Sequence, residues 1–262
     1  MKAVPRILIV VSLLVLACAA CSAHAGCGDP ANCTRVLFVG NSYTYVNDLP
    51  DTFAALAASG GHPVEVGMAA QGGWTLARHA ASADSLQQID AQKWTYVVLQ
   101  EQSEIPSVPQ SELQSMYPAA RTLVQKIRAD GAIPLFYLTM AHRDGWPESG
   151  MPDYASMQAR LEAGTLQVAQ NLQAGVVPVG AAWALLHGQD PRLDLWQSDG
   201  SHPTVQGTYL AACVFYAAIF QSSPVGLSYG DGLSGGQARL LQQAAADAVL
   251  ADPGSWGLPA AR

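Results

Sequence analysis

The sequence has few basic residues, and it lacks repeats, linkers and low-complexity tracts after residue 34. Of its 262 residues, 13 are Lys or Arg and 20 are Asp or Glu, so the formal net charge is -7. That balance repels phosphate backbones and anionic lipid surfaces, which argues against nucleic acid as a partner. Half of the residues are hydrophobic and 24 are Gly, unlike a disordered or a collagen-like chain. We therefore expect a globular protein of one or two domains.

Metal-ligand patterns are also missing. The histidines after residue 25 show no HExxH or comparable spacing; they are His62, His79, His142, His187 and His202. We therefore expect no bound metal ion.

The one long apolar run lies at the N-terminus. Lys2 and Arg6 precede the run Ile7–Ala20, and Ala23-His24-Ala25 follows it. A basic start, a short apolar stretch and a small-x-small site are typical of a secretory signal, and the run is too short to span a bilayer. We predict a signal peptide over residues 1–25 and a secreted or periplasmic bacterial protein. Removal of this signal peptide leaves 11 basic and 20 acidic residues, so the net charge becomes -9.

Two cysteines inside this segment leave an alternative open. Val15-Leu16-Ala17-Cys18 loosely fits the pattern at which bacterial lipoproteins are cleaved and acylated, although Leu16 fits it poorly. A lipid on Cys18 or Cys21 would anchor the protein to the envelope, and this is the one membrane contact that the sequence suggests.

Three cysteines remain after residue 25. Cys27 and Cys33 flank a Gly/Asp/Pro/Asn segment that can turn back on itself, and export would place them in an oxidising compartment. We predict a disulfide between them, within an N-terminal segment over residues 26–34. Cys213 lies in an apolar helical setting and is interpreted as a buried small hydrophobe rather than a nucleophile.

Strand and helix patterns alternate along the rest of the chain. Near-continuous apolar runs, typical of strands covered on both faces, are Arg35–Gly40, Val64–Ala69, Tyr96–Gln100, Ile133–Met140 and Val176–Gly180. Helical patterns cover Asp48–Ser59, Leu76–Gln92, Ser111–Asp130, Asp153–Ala174, Thr204–Phe220 and Ser234–Ala251. The alternation predicts one α/β domain over residues 35–252, a three-layer α/β/α sandwich with a five-stranded parallel sheet, followed by a C-terminal tail over 253–262.

The first candidate catalytic residue follows the first predicted strand. Gly40-Asn41-Ser42 lies where the strand turns into a helix. Gly40 permits a tight turn, and the N-terminus of the next helix stabilises negative charge near Ser42. Ligands of open parallel sheets bind at the carboxyl ends of the strands, so Ser42 stands where a nucleophile would act. Taken alone, the motif is also what a helix-capping serine would give.

A carboxylate and a histidine lie three residues apart in the loop that follows the fifth predicted strand and precedes a long predicted helix. In Ser198-Asp-Gly-Ser-His-Pro-Thr204, Asp199 can orient one imidazole nitrogen of His202 while the other faces Ser42. His202 would then act as the base, although a surface turn with an incidental histidine explains the motif if it stands alone.

Two further loops could stabilise an oxyanion. Gly72-Gly73 follows the second predicted strand, and adjacent glycines let backbone N–H groups approach a reacting oxygen. Gln100-Glu101-Gln102 follows the third strand, and either glutamine could donate a side-chain N–H. Glu101 could be a solvated acid or a buried partner of a base.

These four motifs, at Ser42, at Gly73, at Gln100–Gln102 and at Asp199–His202, resemble the four conserved blocks of the GDSL/SGNH hydrolases and occur in the same order. The resemblance covers residues 35–221. The resemblance implies a flavodoxin-like fold, no cofactor, and ester hydrolysis through an acyl-enzyme. It assigns Ser42 as nucleophile, His202 as base and Asp199 as the residue that orients it. It also implies that the oxyanion donors include the N–H groups of Ser42 and Gly73.

The chain departs from the family pattern at two places. Gly-Asn-Ser replaces the usual Gly-Asp-Ser, which leaves the nucleophile unchanged. Gln100-Glu101-Gln102 replaces Gly-x-Asn, so Gln102 takes the place of the donor Asn, and Gln100 is a second candidate by analogy with sugar-directed acetylesterases that carry Gln-Gly-Glu. Losing such a donor costs about 2.7 to 4 kcal/mol of transition-state stabilisation, so one of them must reach the site.

Aromatic residues and histidine on the loops are candidate substrate contacts. They are Tyr43, Trp74, His142 and Trp146, the last in a long loop that is either a lid or a plain connection. Aromatic rims suit sugar rings, and the family resemblance together with export implies a small acyl ester, acetyl above all, on a carbohydrate. A lipid or aryl ester hydrolase, a catalytically weak carbohydrate-binding module, and an FMN protein remain alternatives, although Asp199 and His202 argue against FMN.

Overall fold

The computed structural model describes Cys27 and residues 33–260. The predicted signal peptide, with Cys18 and Cys21, lies outside the described residues, as does most of the predicted segment 26–34. Cys27 and Cys33 form a disulfide, with their Cα atoms 5.4 Å apart. Within the described part of the chain, no helix is both long and apolar enough to cross a membrane.

Five parallel strands form one sheet in the order β2-β1-β3-β4-β5. The strands are β1 Thr34–Gly40, β2 Val64–Ala70, β3 Tyr96–Leu99, β4 Ile133–Tyr137 and β5 Gly175–Val177. The helices are α1 Ser42–Tyr45, α2 Leu49–Ser59, α3 Leu76–Ala81, α4 Ala83–Asp90, α5 Pro109–Ser111, α6 Tyr117–Ala129, α7 Tyr154–Asn171, α8 Val179–Gln189, α9 Val205–Phe220 and α10 Gly235–Leu250. The predicted three-layer α/β fold with a parallel sheet is confirmed.

Helix α8 is the main element that the sequence pattern misses. The predicted strand Val176–Gly180 is wrong at its end, because β5 stops at Val177 and α8 begins at Val179. Pro178 stands between them and has no N–H to continue the strand ladder. Both elements are buried and apolar, so hydrophobic periodicity cannot separate them. The loop with Asp199 and His202 consequently follows a helix, not the fifth strand itself.

Other boundaries differ in smaller ways. The predicted helix Leu76–Gln92 is two helices, because the Ser82 side chain caps a new helix by accepting from the backbone of Ser85. Strand β4 ends at Tyr137 rather than Met140. A π-helical turn, Glu112–Met116, precedes α6 within the predicted helix Ser111–Asp130.

An aromatic cluster fixes the strand that leads to the candidate nucleophile. Phe38 of β1 packs edge-to-face against Phe53 of α2 and Phe215 of α9, with ring centroids 6.0 and 5.1 Å apart. All three side chains are fully buried, and Cys213 on α9 is buried as well. Such rings contribute large buried areas, so β1 has little freedom to shift.

The chain after α10 packs against the sheet. A short 3-10 turn, Pro253–Trp256, ends where the Trp256 indole N–H donates to the Ala248 carbonyl, at 3.0 Å. The following residues lie on β5, and a Cβ added to Gly175 would be 3.0 Å from the carbonyl oxygen of Gly257. The Gln221 side chain donates to the carbonyl of Pro259.

Candidate active site

The turn that carries Ser42 is built around Asn41. The Asn41 side-chain oxygen accepts from the backbone N–H of Tyr43, at 3.1 Å, and so caps α1. Its amide nitrogen donates to the carbonyl of Trp74, at 3.0 Å. The Asn side chain that departs from the family pattern therefore joins the Ser42 turn to the loop after β2, a donation that an ionised Asp could not make.

Ser42, His202 and Asp199 form an unbroken line of hydrogen bonds. Ser42 Oγ is 2.9 Å from His202 Nε2, and His202 Nδ1 is 2.7 Å from Asp199 Oδ2. Partial burial raises the pKa of Asp199, but hydrogen bonds from the backbone N–H groups of Ser201 and His202 and from the imidazole outweigh it and lower that pKa to about 2. Asp199 is therefore ionised at neutral pH and can hold the imidazole in one orientation.

The loop that carries His202 is closed on itself. An isolated antiparallel bridge joins Trp196 to Pro203, and the Gln197 N–H donates to the His202 carbonyl at 2.8 Å. The Asn47 side chain donates to the Pro203 carbonyl at 3.0 Å, which ties this loop to the segment after α1. These contacts set the position of His202 relative to Ser42 across 160 residues of sequence.

Gly73 and Gln102 border the same cavity as Ser42 and His202. Gly73 has a positive φ of 68°, a conformation that glycine adopts without strain, and its α-carbon faces open space. The Gln102 side-chain oxygen accepts from the Glu104 N–H at 2.9 Å. Its amide nitrogen lies 3.4 Å from a Glu104 carboxylate oxygen, a long contact that leaves donor capacity for a substrate.

Gln100 has a different place. Its side chain is fully buried, and its oxygen accepts from the Asn41 N–H at 2.8 Å and from the Thr44 hydroxyl at 3.0 Å. Its nitrogen donates to the Glu101 carbonyl at 2.6 Å. The alternative that Gln100 donates to the oxyanion is therefore not supported, since its amide is used to hold the Ser42 turn. A Cβ on Gly40 would lie 2.4 Å from this amide oxygen, which explains the glycine.

His79 supports the Ser42 turn, and no pattern in the sequence predicts this role. It is buried, and its Nε2 lies 2.8 Å from the carbonyl oxygen of Gly40, while Nδ1 lies 2.8 Å from the Ser85 hydroxyl. A carbonyl can only accept, so Nε2 carries the proton and Nδ1 accepts from Ser85. Burial lowers the pKa of His79, in keeping with a neutral ring.

Glu101 is a buried carboxyl rather than a solvated one. One oxygen accepts from the N–H groups of Leu76, at 3.1 Å, and Gln102, at 2.7 Å, while the other has no partner among the described residues. Burial raises the pKa of Glu101 to about 7, against the lowering effect of those two hydrogen bonds. Glu101 thereby links the loop after β2 to the loop after β3.

The cavity beside Ser42 has a volume of about 280 Å³ and is open to solvent. Two of the predicted substrate contacts, Tyr43 and His142, lie in its wall. The Tyr43 hydroxyl is 2.5 Å from Ser201 Oγ, and burial raises the pKa of this tyrosine. His142 Nε2 is 3.2 Å from Ser103 Oγ, and burial lowers the pKa of His142.

The two predicted tryptophan contacts do not line this cavity. Trp146 pairs with Met151 in an isolated antiparallel bridge and packs against the core, which does not support a lid. Trp74 lies at a neighbouring cavity. Among the described residues, no group of three or more His, Cys, Asp or Glu side chains could hold a metal ion.

Neither a family model nor a curated protein sequence matches the chain. Among solved structures, a protein assigned as an SGNH hydrolase from Slackia heliotrinireducens is 28% identical, and the match covers 71% of this chain and 98% of that chain with a TM-score of 0.60. A DUF4886 family protein from Bacteroides uniformis is 20% identical, with 83% and 95% covered and a TM-score of 0.70. The acetyl xylan esterase AlAXEase is 13% identical, with 71% and 99% covered and a TM-score of 0.56.

The second and third of these share the fold, while the Slackia protein also has more than a quarter of its aligned residues in common. The similarity to an SGNH hydrolase agrees with the order of the strands in the sheet. It also agrees with the order of the four motifs, which contain Ser42, Gly73, Gln100 and Asp199 in turn. The predicted resemblance to the GDSL/SGNH hydrolases is confirmed by these neighbours, and so is the prediction of a carboxylic ester hydrolase.

Proposed function

We propose that this esterase removes a small acyl group, acetyl above all, from a carbohydrate by way of a covalent acyl-enzyme. The observation that carries the proposal is the hydrogen-bonded line Ser42–His202–Asp199 at the carboxyl edge of the sheet. These two hydrogen bonds support Ser42 as nucleophile, His202 as base and Asp199 as the carboxylate that orients it, as serine acyl transfer requires.

In this mechanism, Ser42 Oγ attacks the ester carbonyl carbon while His202 Nε2 takes the serine proton. Asp199 stabilises the imidazolium that forms, and its low pKa keeps it ionised through the cycle. The tetrahedral intermediate collapses, the C–O bond to the alcohol breaks, and His202 returns the proton to the leaving oxygen. Water then attacks the acyl-enzyme by the same steps and frees Ser42.

The carbonyl oxygen becomes an oxyanion in both tetrahedral intermediates. We assign its stabilisation to the backbone N–H groups of Ser42 and Gly73 and to the side-chain amide of Gln102, which border one cavity. Gln100 is not part of this set.

The size of the cavity supports a short acyl group. Its volume of about 280 Å³ lies at the small end of ligand sites, and Gln102, Glu104 and His142 bound it. One structural neighbour is named as an acetyl xylan esterase. Secretion remains part of the proposal and is supported by the basic-apolar-small pattern of residues 1–25 and the disulfide between Cys27 and Cys33.

The test compares hydrolysis of p-nitrophenyl acetate by Ser42→Ala and His202→Ala with the unchanged protein. Each should lose at least about a thousandfold in kcat/KM, because the two residues act as a unit. Ser198→Ala, an exposed serine on the His202 loop, is the control and should keep full activity. Full activity in either catalytic variant would refute the mechanism, and a rate optimum at p-nitrophenyl esters of long chains would refute the short acyl group.

A further inference from the structure

A second cavity lies beside the loop that carries Gly73. Its volume is about 200 Å³, and residues of β2, of the loop after it and of α4 line it, including Met68, Gln71, Trp74, Asp84 and Gln88. The two cavities share no lining residue, and the same loop contributes Gly73 to the cavity of Ser42 and Gln71 and Trp74 to the second one.

Trp74 is held firmly at this position. Its carbonyl accepts from the Asn41 side chain at 3.0 Å, and its indole packs edge-to-face against the buried ring of His79, with centroids 5.0 Å apart. His79 in turn contacts the carbonyl of Gly40. The Trp74 ring is therefore placed relative to Ser42 by two independent contacts, which is what a substrate platform needs.

The polar groups of this cavity are free to bind a ligand. Gln71, Asp84 and Gln88 have exposed side chains that make no hydrogen bond within the described part of the chain, and neither does the Trp74 indole N–H. An indole face beside amides and a carboxylate matches a ring with an apolar face and several hydroxyls. Asp84 and the acidic balance of the chain disfavour an anionic ligand such as a phosphate.

We propose that this cavity is a subsite for a sugar ring of an oligosaccharide whose acylated unit sits at Ser42. The inference rests on the proposed function, because it concerns the alcohol part of the same ester. The sugar would stack on Trp74 and exchange hydrogen bonds with Gln71, Asp84 and Gln88. The chain of sugar units would cross the loop at Gly73, where the absence of a side chain leaves room.

The first experiment measures binding, so that it does not depend on catalysis. Calorimetry on Ser42→Ala with xylo-, manno- and chito-oligosaccharides should detect binding of at least one of them. Adding Trp74→Ala should weaken that binding about tenfold, as expected for the loss of one aromatic platform, whereas Trp74→Phe should keep most of it. Leu240→Ala, an exposed position on α10, is the control. Failure of all three sugars to bind, or equal binding with and without Trp74, would overturn the subsite.

The second experiment separates the two proposals. Trp74→Ala should raise KM for the acetylated form of the sugar that binds by about tenfold more than it raises KM for p-nitrophenyl acetate. Equal losses on both substrates would assign Trp74 a structural role and overturn the subsite, while the esterase proposal would stand. Sugar binding without hydrolysis of either substrate would instead refute the proposed function and keep the subsite.

Discussion

Replacement of Glu101 by Gln should remove a pH-dependent cost to stability. Glu101 is 4% exposed, and burial raises its pKa from 4.5 to about 7. Since the folded-state pKa lies above the unfolded one, the unfolded chain ionises first as the pH rises. The stability associated with the protonated carboxyl is full below about pH 4.5 and is lost as the pH rises through 7.

The magnitude follows from the two pKa values. Between pH 5 and pH 8, the free energy of unfolding of the unchanged protein should fall by about 2.5 kcal/mol relative to that of Glu101→Gln. The amide oxygen of the variant can still accept from the N–H groups of Leu76 and Gln102, so the offset between the two proteins at pH 5 should be small compared with this change.

The assay is urea unfolding of both proteins at pH 5, 6, 7 and 8, followed by circular dichroism. Glu148→Gln, which changes an exposed side chain, is the control and should run parallel to the unchanged protein. A constant difference between Glu101→Gln and the unchanged protein over this pH range would show that the carboxyl does not titrate there, and would refute the reasoning.

Two further substitutions test how the Ser42 turn is supported, and a third tests the packing of α7 against the segment after β3. Gln100→Leu leaves two buried donors without an acceptor, so unfolding should become easier by about 2 to 4 kcal/mol and kcat should fall, as urea unfolding and steady-state kinetics can measure. Asn41→Asp keeps the helix cap but points a carboxylate at the Trp74 carbonyl. The same two assays should therefore show a free energy of unfolding lower by about 1 to 3 kcal/mol and a lower kcat. Unchanged values would argue against a role of the Asn41–Trp74 hydrogen bond. Gly164→Ala would place a Cβ against the backbone carbonyl of Pro106, in the segment after β3, and should lower the free energy of unfolding by about 1 to 3 kcal/mol. Its control is Gly188→Ala on α8, where the added Cβ meets no other atom, and which should be neutral or stabilising in the same unfolding assay.

The sequence predicts the sheet because its strands are buried on both faces and stand out as short apolar runs. The sequence also predicts a catalytic triad of Ser42, His202 and Asp199, since Ser42 follows a strand and the other two residues lie within one loop. Their roles stay a prediction until the variants are measured, although the structure places their side chains within hydrogen-bond distance. The shared carboxyl edge of parallel strands accounts for the place of Ser42 after β1, whereas the loop of Asp199 and His202 follows α8 and reaches Ser42 only in the folded chain.

The supporting residues could not be found in this way. Gln100 and Gln102 are two positions apart and chemically identical, and only the fold separates the buried amide from the one at the cavity. His79 and Glu101 matter through long-range contacts with Gly40 and Leu76, which no local pattern encodes. The end of β5 was missed for a related reason, because a buried helix and a buried strand are equally apolar.

The packing of the C-terminal residues on β5 bears on how the protein behaves at high concentration. β5 is an edge strand, and an open edge offers unpaired backbone groups to a strand of another molecule. The contact of Gly257 with Gly175 places the chain after α10 on one face of this strand, and the hydrogen bond between Gln221 and Pro259 holds it there. A chain shortened before Pro253 would lose this packing beside the open edge, so we expect it to associate with other copies more readily.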